Sequence, residues 1–302
     1  MIKSTFQPDV DHFLAEVRKL MAEGLSDTVL NQLPAESSNI LASGKMLRSR
    51  LCFRVGIPAG VNYRTLLYAS AAVEMIHAAS LLHDDVIDGG QLRRGAPTFW
   101  VQRGIPGAIL VGDLMLFKAL DLTCDLENGA LTRKLIKLTG EVCDAESEQE
   151  LLLRGYAPSW ENCIKIARRK TGALFAFSAF ACSKGDPKLG DILLEAGYEI
   201  GTAYQLADDI LDATGSTDTS GKSLGSDVQR NKTTAATTAS ALPELTIDQA
   251  VAYVHELCDQ ALRQLKPWPN VHRGWTDFME LDMKPALDLF LAATRPPAVA
   301  LP

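Results

Sequence analysis

The chain has 302 residues, 47% of them hydrophobic, with a formal net charge of −7 and an isoelectric point near 5.3. That length suits one large domain or two small ones with a sizeable core, and the acidic balance argues against a general nucleic-acid binder. The cysteines (Cys52, Cys124, Cys143, Cys163, Cys182, Cys258) show neither a CxxC pair nor zinc-type spacing, so they read as reduced core thiols of a cytoplasmic protein.

From the N-terminus, "MIKSTFQPDVDHFLAEV" lacks the uninterrupted apolar run of a signal peptide. The nearest approach to a membrane span, residues 67–83, is interrupted by Glu74 and His77. Alternating strand patterns are nearly absent, whereas helical periodicity predicts helices at about 8–23, 45–56, 62–84, 105–121, 128–154, 159–182, 188–213, 246–265 and 273–292. Asp9, Asn62 and Ser159 are suited to cap three of these starts, and Pro187 to open a fourth. Breaks are expected at "GIPAG", "RRGAPT", "NG", "YAPS", "KGDP" and "KPWPN", and a Gly/Ser/Thr-rich loop at 214–227. None is long enough for an interdomain linker, so residues 1–302 read as a single all-α domain with a frayed tail from about 294 to 302. "LLYASAAVEMIHAASLL" is apolar on most faces and rich in small residues, as a helix in the middle of a bundle must be.

That central helix runs into "HDDVID", and a second apolar helix runs into "ADDILD". Asp84 and Asp88 lie one turn apart on one face, with Asp85 about 100° round from Asp84; Asp208, Asp209 and Asp212 repeat the pattern. Carboxylates crowded at the ends of buried helices repel one another unless a cation neutralises them. Oxygen-only ligands favour Mg²⁺, which takes further ligands from water and substrate phosphates, and two such clusters suit two or three ions around a diphosphate.

Basic residues follow the acids. Arg93 and Arg94 leave the first motif, Lys170 and Thr171 enter an apolar helix, Lys222 and Lys232 follow the second motif, and Lys45 and Arg48 lie three apart near the N-terminus, as on one helical face. Together they describe a site for two phosphorylated groups, one bound through metal and one through Arg and Lys.

These stretches, in this order from about residue 40 to 240, resemble the trans-isoprenyl diphosphate synthases, or polyprenyl synthetases. "EMIHAASLLHDDVIDGGQLRRGAPT" and "YQLADDILD" are similar to the family's two aspartate-rich motifs, "GKMLR" to its basic motif, "VGDLMLFKA" to the helix after the first motif, "KTG" to its lysine motif and "GKSLGSDVQRNKT" to its mobile loop. The resemblance implies an isoprenoid synthase fold of roughly ten or more helices around a central cavity, a homodimer, and Mg²⁺. It implies roles too. Asp84, Asp88 and Asp208 would bind metal, with Asp85, Asp209 and Asp212 as direct or water-mediated partners. Arg93, Lys170, Gln205, Lys222 and Lys232 would hold the allylic diphosphate, and Lys45, Arg48, His77 and Arg94 isopentenyl diphosphate. Lys170 and Thr171 join Asp84, Asp85, Asp88 and Asp208 as the expected catalytic group, with Thr171 and Gln205 orienting groups near the reacting carbon.

The chain departs from the family pattern at Ser43, Met46, Asn231 and Leu151, without losing a metal carboxylate. Product length is expected to follow the depth of the apolar cavity. Ala79 and Ser80, five and four residues before Asp84, are small where aromatic residues accompany C15 or C20 products. They predict a product longer than C20, with Phe117 either a lower floor or plain core. A farnesyl or geranylgeranyl diphosphate synthase is the nearest alternative. A terpene cyclase or head-to-head condensing enzyme shares metal-ionised diphosphate chemistry, and Lys45, Arg48 and Arg94 argue against a cyclase; a non-catalytic subunit of a heteromeric synthase would typically have lost carboxylates.

Overall fold

The computed structural model describes residues 9–32, 44–93, 95–126, 129–156, 159–214 and 247–291. Ser43, Arg94, Lys222, Asn231, Lys232 and the tail at 294–302 lie outside these residues, as does the side chain of Asp212. In chain order come α1 (Val10–Leu25), a 3₁₀ turn (Val29–Gln32), α2 (Leu47–Ala59), α3 (Tyr63–Ile87), a two-rung hairpin of β1 (Leu92–Arg93) and β2 (Ala96–Pro97), and α4 (Phe99–Cys124). Then follow α5 (Gly129–Glu148, prolonged by a π turn, Gln149–Leu153), α6 (Trp160–Ala167), a π turn (Arg168–Gly172), α7 (Ala173–Phe180) and α8 (Pro187–Thr214). The last elements are α9 (Ile247–Gln264), α10 (Pro269–Phe278), a π turn (Met279–Met283) and α11 (Lys284–Leu291). Joined through their π turns, these make nine helical runs among the described residues, slightly fewer than expected, and each matches one predicted helix.

The anticipated caps are present: Asp9, Asn62 and Ser159 accept from the backbone N–H groups of His12, Arg64 and Asn162. Several boundaries differ by a few residues, two of them for a visible backbone reason. α2 runs past "GIP" to Ala59 because Gly60, at φ 75°, closes a Schellman turn in which Val61 N–H donates to Gly56 O at 3.0 Å and Gly60 N–H to Ile57 O at 3.0 Å. In α4 a short helical stretch from Phe99 precedes the expected one, since the non-helical Gly104 (φ 79°, ψ 162°) breaks the helical path and the helix resumes at 105 as predicted.

α3 is the axis. Every residue from Ala69 to Ile76 is buried, which only a helix surrounded on all sides allows. It lies along α4 and touches α1, α2 and α7, while α8 is packed between α7 and α9. Small residues bring α8 against the α6–α7 junction: a Cβ added at Gly201 would stand 2.6 Å from the Gly172 Cα, and one at Gly197 would stand 2.5 Å from the Ala176 Cα. No side chain fits between these backbones. The C-terminal helices are clasped to α2 through buried Asp282, which accepts from Arg50 and Arg54 at 2.9 Å each.

Among the cysteines, Cys52, Cys163, Cys182 and Cys258 are buried thiols as expected, whereas Cys124 and Cys143 are exposed: their helices turn those positions outward. The apolar length of Tyr63–Ile87 would suffice to cross a membrane, but 67% of its most apolar window is buried inside the protein.

Candidate active site

The last turn of α3 holds Asp84 and Asp85, with Asp88 as its C-cap, and Asp208 and Asp209 lie toward the C-terminal end of α8. A helix C-terminus carries the negative end of the macrodipole, so carboxylates there are unfavourable until a cation joins them. Along α3, His77, Ser80, Asp84 and Asp88 form a partly accessible stripe beside a buried one of Ile76, Ala79, Leu82 and Asp85. On α8, Tyr204, Gln205 and Asp208 are partly accessible and Asp209 is buried.

Within each motif the acids divide. Asp85 turns inward, where Arg93 grips it with two nitrogens, Nη2 at 2.8 Å and Nε at 3.0 Å. The loop that brings Arg93 back is folded around Gly90, whose carbonyl accepts from Thr98 Oγ1 and Trp100 Nε1 at 2.7 Å each. Gly95, at φ 77°, turns the hairpin. Arg93 thus holds Asp85 here, and Asp84 and Asp88 keep the accessible face.

The π turn Arg168–Gly172 joins the two motifs. Its side chains reach two helices: Arg168 pairs with Glu195 on α8 (2.6 Å), while Arg169 pairs with Asp144 and Glu148, and Lys170 with Glu146, all on α5. Burial opposes the Lys170 charge, but Asp84, Glu146 and Asp88 outweigh it and hold the ammonium above its ordinary range. The next residue faces the other motif. Thr171 Oγ1 donates to Gln205 Oε1 at 2.5 Å, and Gln205 Nε2 donates to Asp209 Oδ1 at 2.7 Å. Adjacent residues of one turn therefore address both acidic helix ends, and the Gly172–Gly201 contact sets how closely that turn lies on α8.

The basic motif takes another shape than expected. Lys45 and Arg48 do not share a helical face, because Met46 takes a left-handed conformation (φ 49°) and α2 begins only at Leu47. Lys45 is exposed, with Nζ 4.5 Å from the Phe290 ring centroid; Arg48 is buried, its guanidinium 4.8 Å from the centroid of Phe175. Burial pulls the Arg48 group below its ordinary value, with Glu74 and then Tyr204 opposing. Sequence reasoning missed Glu74, Glu146 and this aromatic group, whose partners come from distant helices.

Two chain-length assignments change. Ala79 is fully buried in packing, 100° round from the accessible stripe, so of that pair Ser80 alone lies on it. Phe117 is neither floor nor core but 72% exposed, since α4 buries Ala108, Val111, Met115 and Ala119 and Phe117 faces the opposite way. Leu151, on the π turn after α5, is also exposed, while Glu148 pairs with Lys165 at 2.6 Å and with Arg169.

The donors fit Mg²⁺ in kind, being carboxylate oxygens drawn together with neighbouring cations. Among the described residues no three acidic, histidine or cysteine side chains are gathered into a ready cage. Mg²⁺ commonly uses only one or two carboxylates plus water and substrate phosphates, so none is required.

An all-α bundle with two aspartate-rich helix ends joined through one lysine–threonine turn defines the prenyltransferase enzymes of the isoprenoid synthase fold. The chain belongs to the polyprenyl synthetase family, whose profile matches residues 31–256. It is 32% identical over 223 residues to an all-trans-nonaprenyl-diphosphate synthase (geranyl-diphosphate specific) of Rhodobacter capsulatus, covering 73% of this chain and 69% of that one. With the farnesyl diphosphate synthase of Escherichia coli it shares 36% identity over 242 residues, 75% of this chain and 79% of the other. A short chain isoprenyl diphosphate synthase of Methanocaldococcus jannaschii is 32% identical over 65% of this chain, and the match spans 62% of that relative. The crystal structure of a Caulobacter crescentus polyprenyl synthase complexed with calcium and isoprenyl diphosphate has a TM-score of 0.76 at 26% identity, covering 95% of both chains.

Proposed function

We propose that this enzyme condenses an allylic diphosphate with isopentenyl diphosphate, head to tail and with Mg²⁺, to give an all-trans polyprenyl diphosphate longer than C20. The observation that carries the reading is the π turn whose Lys170, paired with Glu146, has its charge held by Asp84 and Asp88 as well, and whose Thr171 bonds Gln205, itself bonded to Asp209. Asp84, Asp88 and Asp208 would hold the metal, with Asp85, Asp209 and Asp212 in support; bound there, two or three Mg²⁺ ions would neutralise charge on the leaving diphosphate. Lys170, kept charged by its carboxylate neighbours, stabilises the same developing charge and is already in place before substrate arrives. Arg93, with Lys222 and Lys232, completes the allylic diphosphate site; Lys45, Arg48, His77 and Arg94 form the other. Gln205, fixed at both ends of its amide, presents a set dipole beside the reacting carbon. Apolar walls along α3 and α7 keep water from the cation formed by ionisation.

The length assignment rests on Ser80, a small side chain on the accessible stripe one turn below Asp84. Relatives make both short and long products, so product size is the discriminating measurement. The enzyme acts as a homodimer in this reading, supported by an outer face of α4 that exposes Ile105, Ile109, Leu110 and Phe117. The test is incubation of the purified chain with Mg²⁺, labelled isopentenyl diphosphate and primers from C5 to C20, followed by product sizing. Extension beyond C20 is expected, and Asp84→Asn lowers turnover by about 10² to 10³-fold without altering the circular dichroism spectrum. No extension from any primer, alone or with a partner subunit, rejects the proposal.

A further inference from the structure

Three aromatic rings from three helices form one connected group beneath the basic motif. Phe175 on α7 lies 6.0 Å from Tyr204 on α8, and Tyr204 lies 5.2 Å edge-on from Phe290 on α11, centroid to centroid. Both cations of the motif sit over this group: the Lys45 ammonium is 4.5 Å from the centre of Phe290 and 5.9 Å from that of Tyr204, and the Arg48 guanidinium is 4.8 Å from that of Phe175. Phe290 is 6% exposed and packs on the core, so its ring cannot easily turn away. The helical run that carries it is anchored independently, through Asp282 to Arg50 and Arg54 of α2. The chain that leads into α2 and the last helix are thereby brought together at Lys45.

We propose that Phe290 is a positioning residue for isopentenyl diphosphate, its ring holding the Lys45 ammonium in the orientation that receives the substrate's diphosphate. Lys45 lies just before α2 and next to left-handed Met46, where no regular helix orients it. A cation over an aromatic face is attracted by the ring quadrupole, and a long flexible side chain loses less entropy on binding when it is held beforehand. The C-terminal helix therefore contributes to specificity for one substrate without touching the reacting atoms. This inference rests on the prenyl-transfer reading for the identity of the ligand.

The test compares Phe290→Leu and Phe290→Tyr in the full-length enzyme. Phe290→Leu, which keeps apolar bulk but no ring, is expected to raise KM for isopentenyl diphosphate about fivefold. Its kcat and the KM for the allylic diphosphate should stay near wild type, and Phe290→Tyr should restore the lost affinity. In a Lys45→Gln background, Phe290→Leu should add nothing further, because the two act through one contact. A loss of both KM values and kcat together, in step with a lowered Tm, would mark a merely structural residue and overturn the proposal, as would an unchanged KM in Phe290→Leu. Calorimetric titration with isopentenyl diphosphate separates this inference from the reading beneath it. Wild type that binds the ligand without condensing it rejects prenyl transfer, and a binding loss in Phe290→Leu would then still uphold the role of the ring. Wild-type catalysis with full binding in Phe290→Leu rejects only the ring.

Discussion

Neighbouring residues on a helix can have opposite fates, and α3 shows it at positions 79 and 80. Ser80 is partly accessible, its Oγ donating to His77 O at 2.9 Å, whereas Ala79 is wholly enclosed. Ser80→Phe is therefore expected to shorten the product, read by chromatographic sizing, because the ring extends along the accessible stripe. Ala79→Phe has no such space, and overpacking a filled core costs about 1–3 kcal/mol, so its signature is a lower Tm. A second residue predicts a pH response. Glu199 on α8 is buried, accepts from Gln264 Nε2 at 2.7 Å, and has its carboxyl pushed up to about 7 by burial and then by Glu195. The folded state keeps a proton that the unfolded chain releases at the ordinary 4.5, so this contribution to stability is full below 4.5 and lost as pH rises through 7. Wild type should lose roughly 2 °C of Tm relative to Glu199→Gln between pH 5 and pH 8, measured by calorimetry, and a pH-independent difference would refute the assignment.

At the scale of elements, the start of α2 shows what local sequence can and cannot convey. Its N-cap, Met46, supplies no side-chain hydrogen bond; instead Glu74, from the middle of α3, accepts from Ser49 N–H at 3.1 Å and Ser49 Oγ at 3.0 Å. A carboxylate at a helix N-terminus also opposes the positive end of the dipole. Glu74→Ala strands a buried N–H, and the expected loss is about 1–3 kcal/mol of unfolding free energy in urea titration, against about 1 kcal/mol for Ser49→Ala. Asp9, Asn62 and Ser159 were legible as caps because each bonds to an N–H two or three residues ahead. Glu74 was not, since its partner lies 25 residues away. The same limit hid the pairing of Lys170 with Glu146, the three π turns, whose single extra residue a hydrophobic period cannot resolve, and the true orientation of Phe117, which depends on which face of α4 meets α3. The acidic motifs were legible because their spacing is intrinsic to the sequence.

For the molecule as a whole, the outer face of α4 leaves apolar side chains in water that its inner face does not need for packing on α3. In the proposed homodimer this face is the contact, so Ile109→Glu should shift sedimentation velocity from dimer to monomer while the far-ultraviolet spectrum is kept; an unchanged sedimentation coefficient would place the contact elsewhere. The internal crossing of α8 with the α6–α7 junction has a different consequence. Where Gly201 meets Gly172, backbone touches backbone, so the interval between α8 and the lysine–threonine turn has no side chain through which it could be adjusted. Ser80, by contrast, stands on a face where a larger group can be installed. What the catalyst does and what it makes are inherited separately: drift or design can resize the product one substitution at a time while the chemistry stays locked behind two glycines.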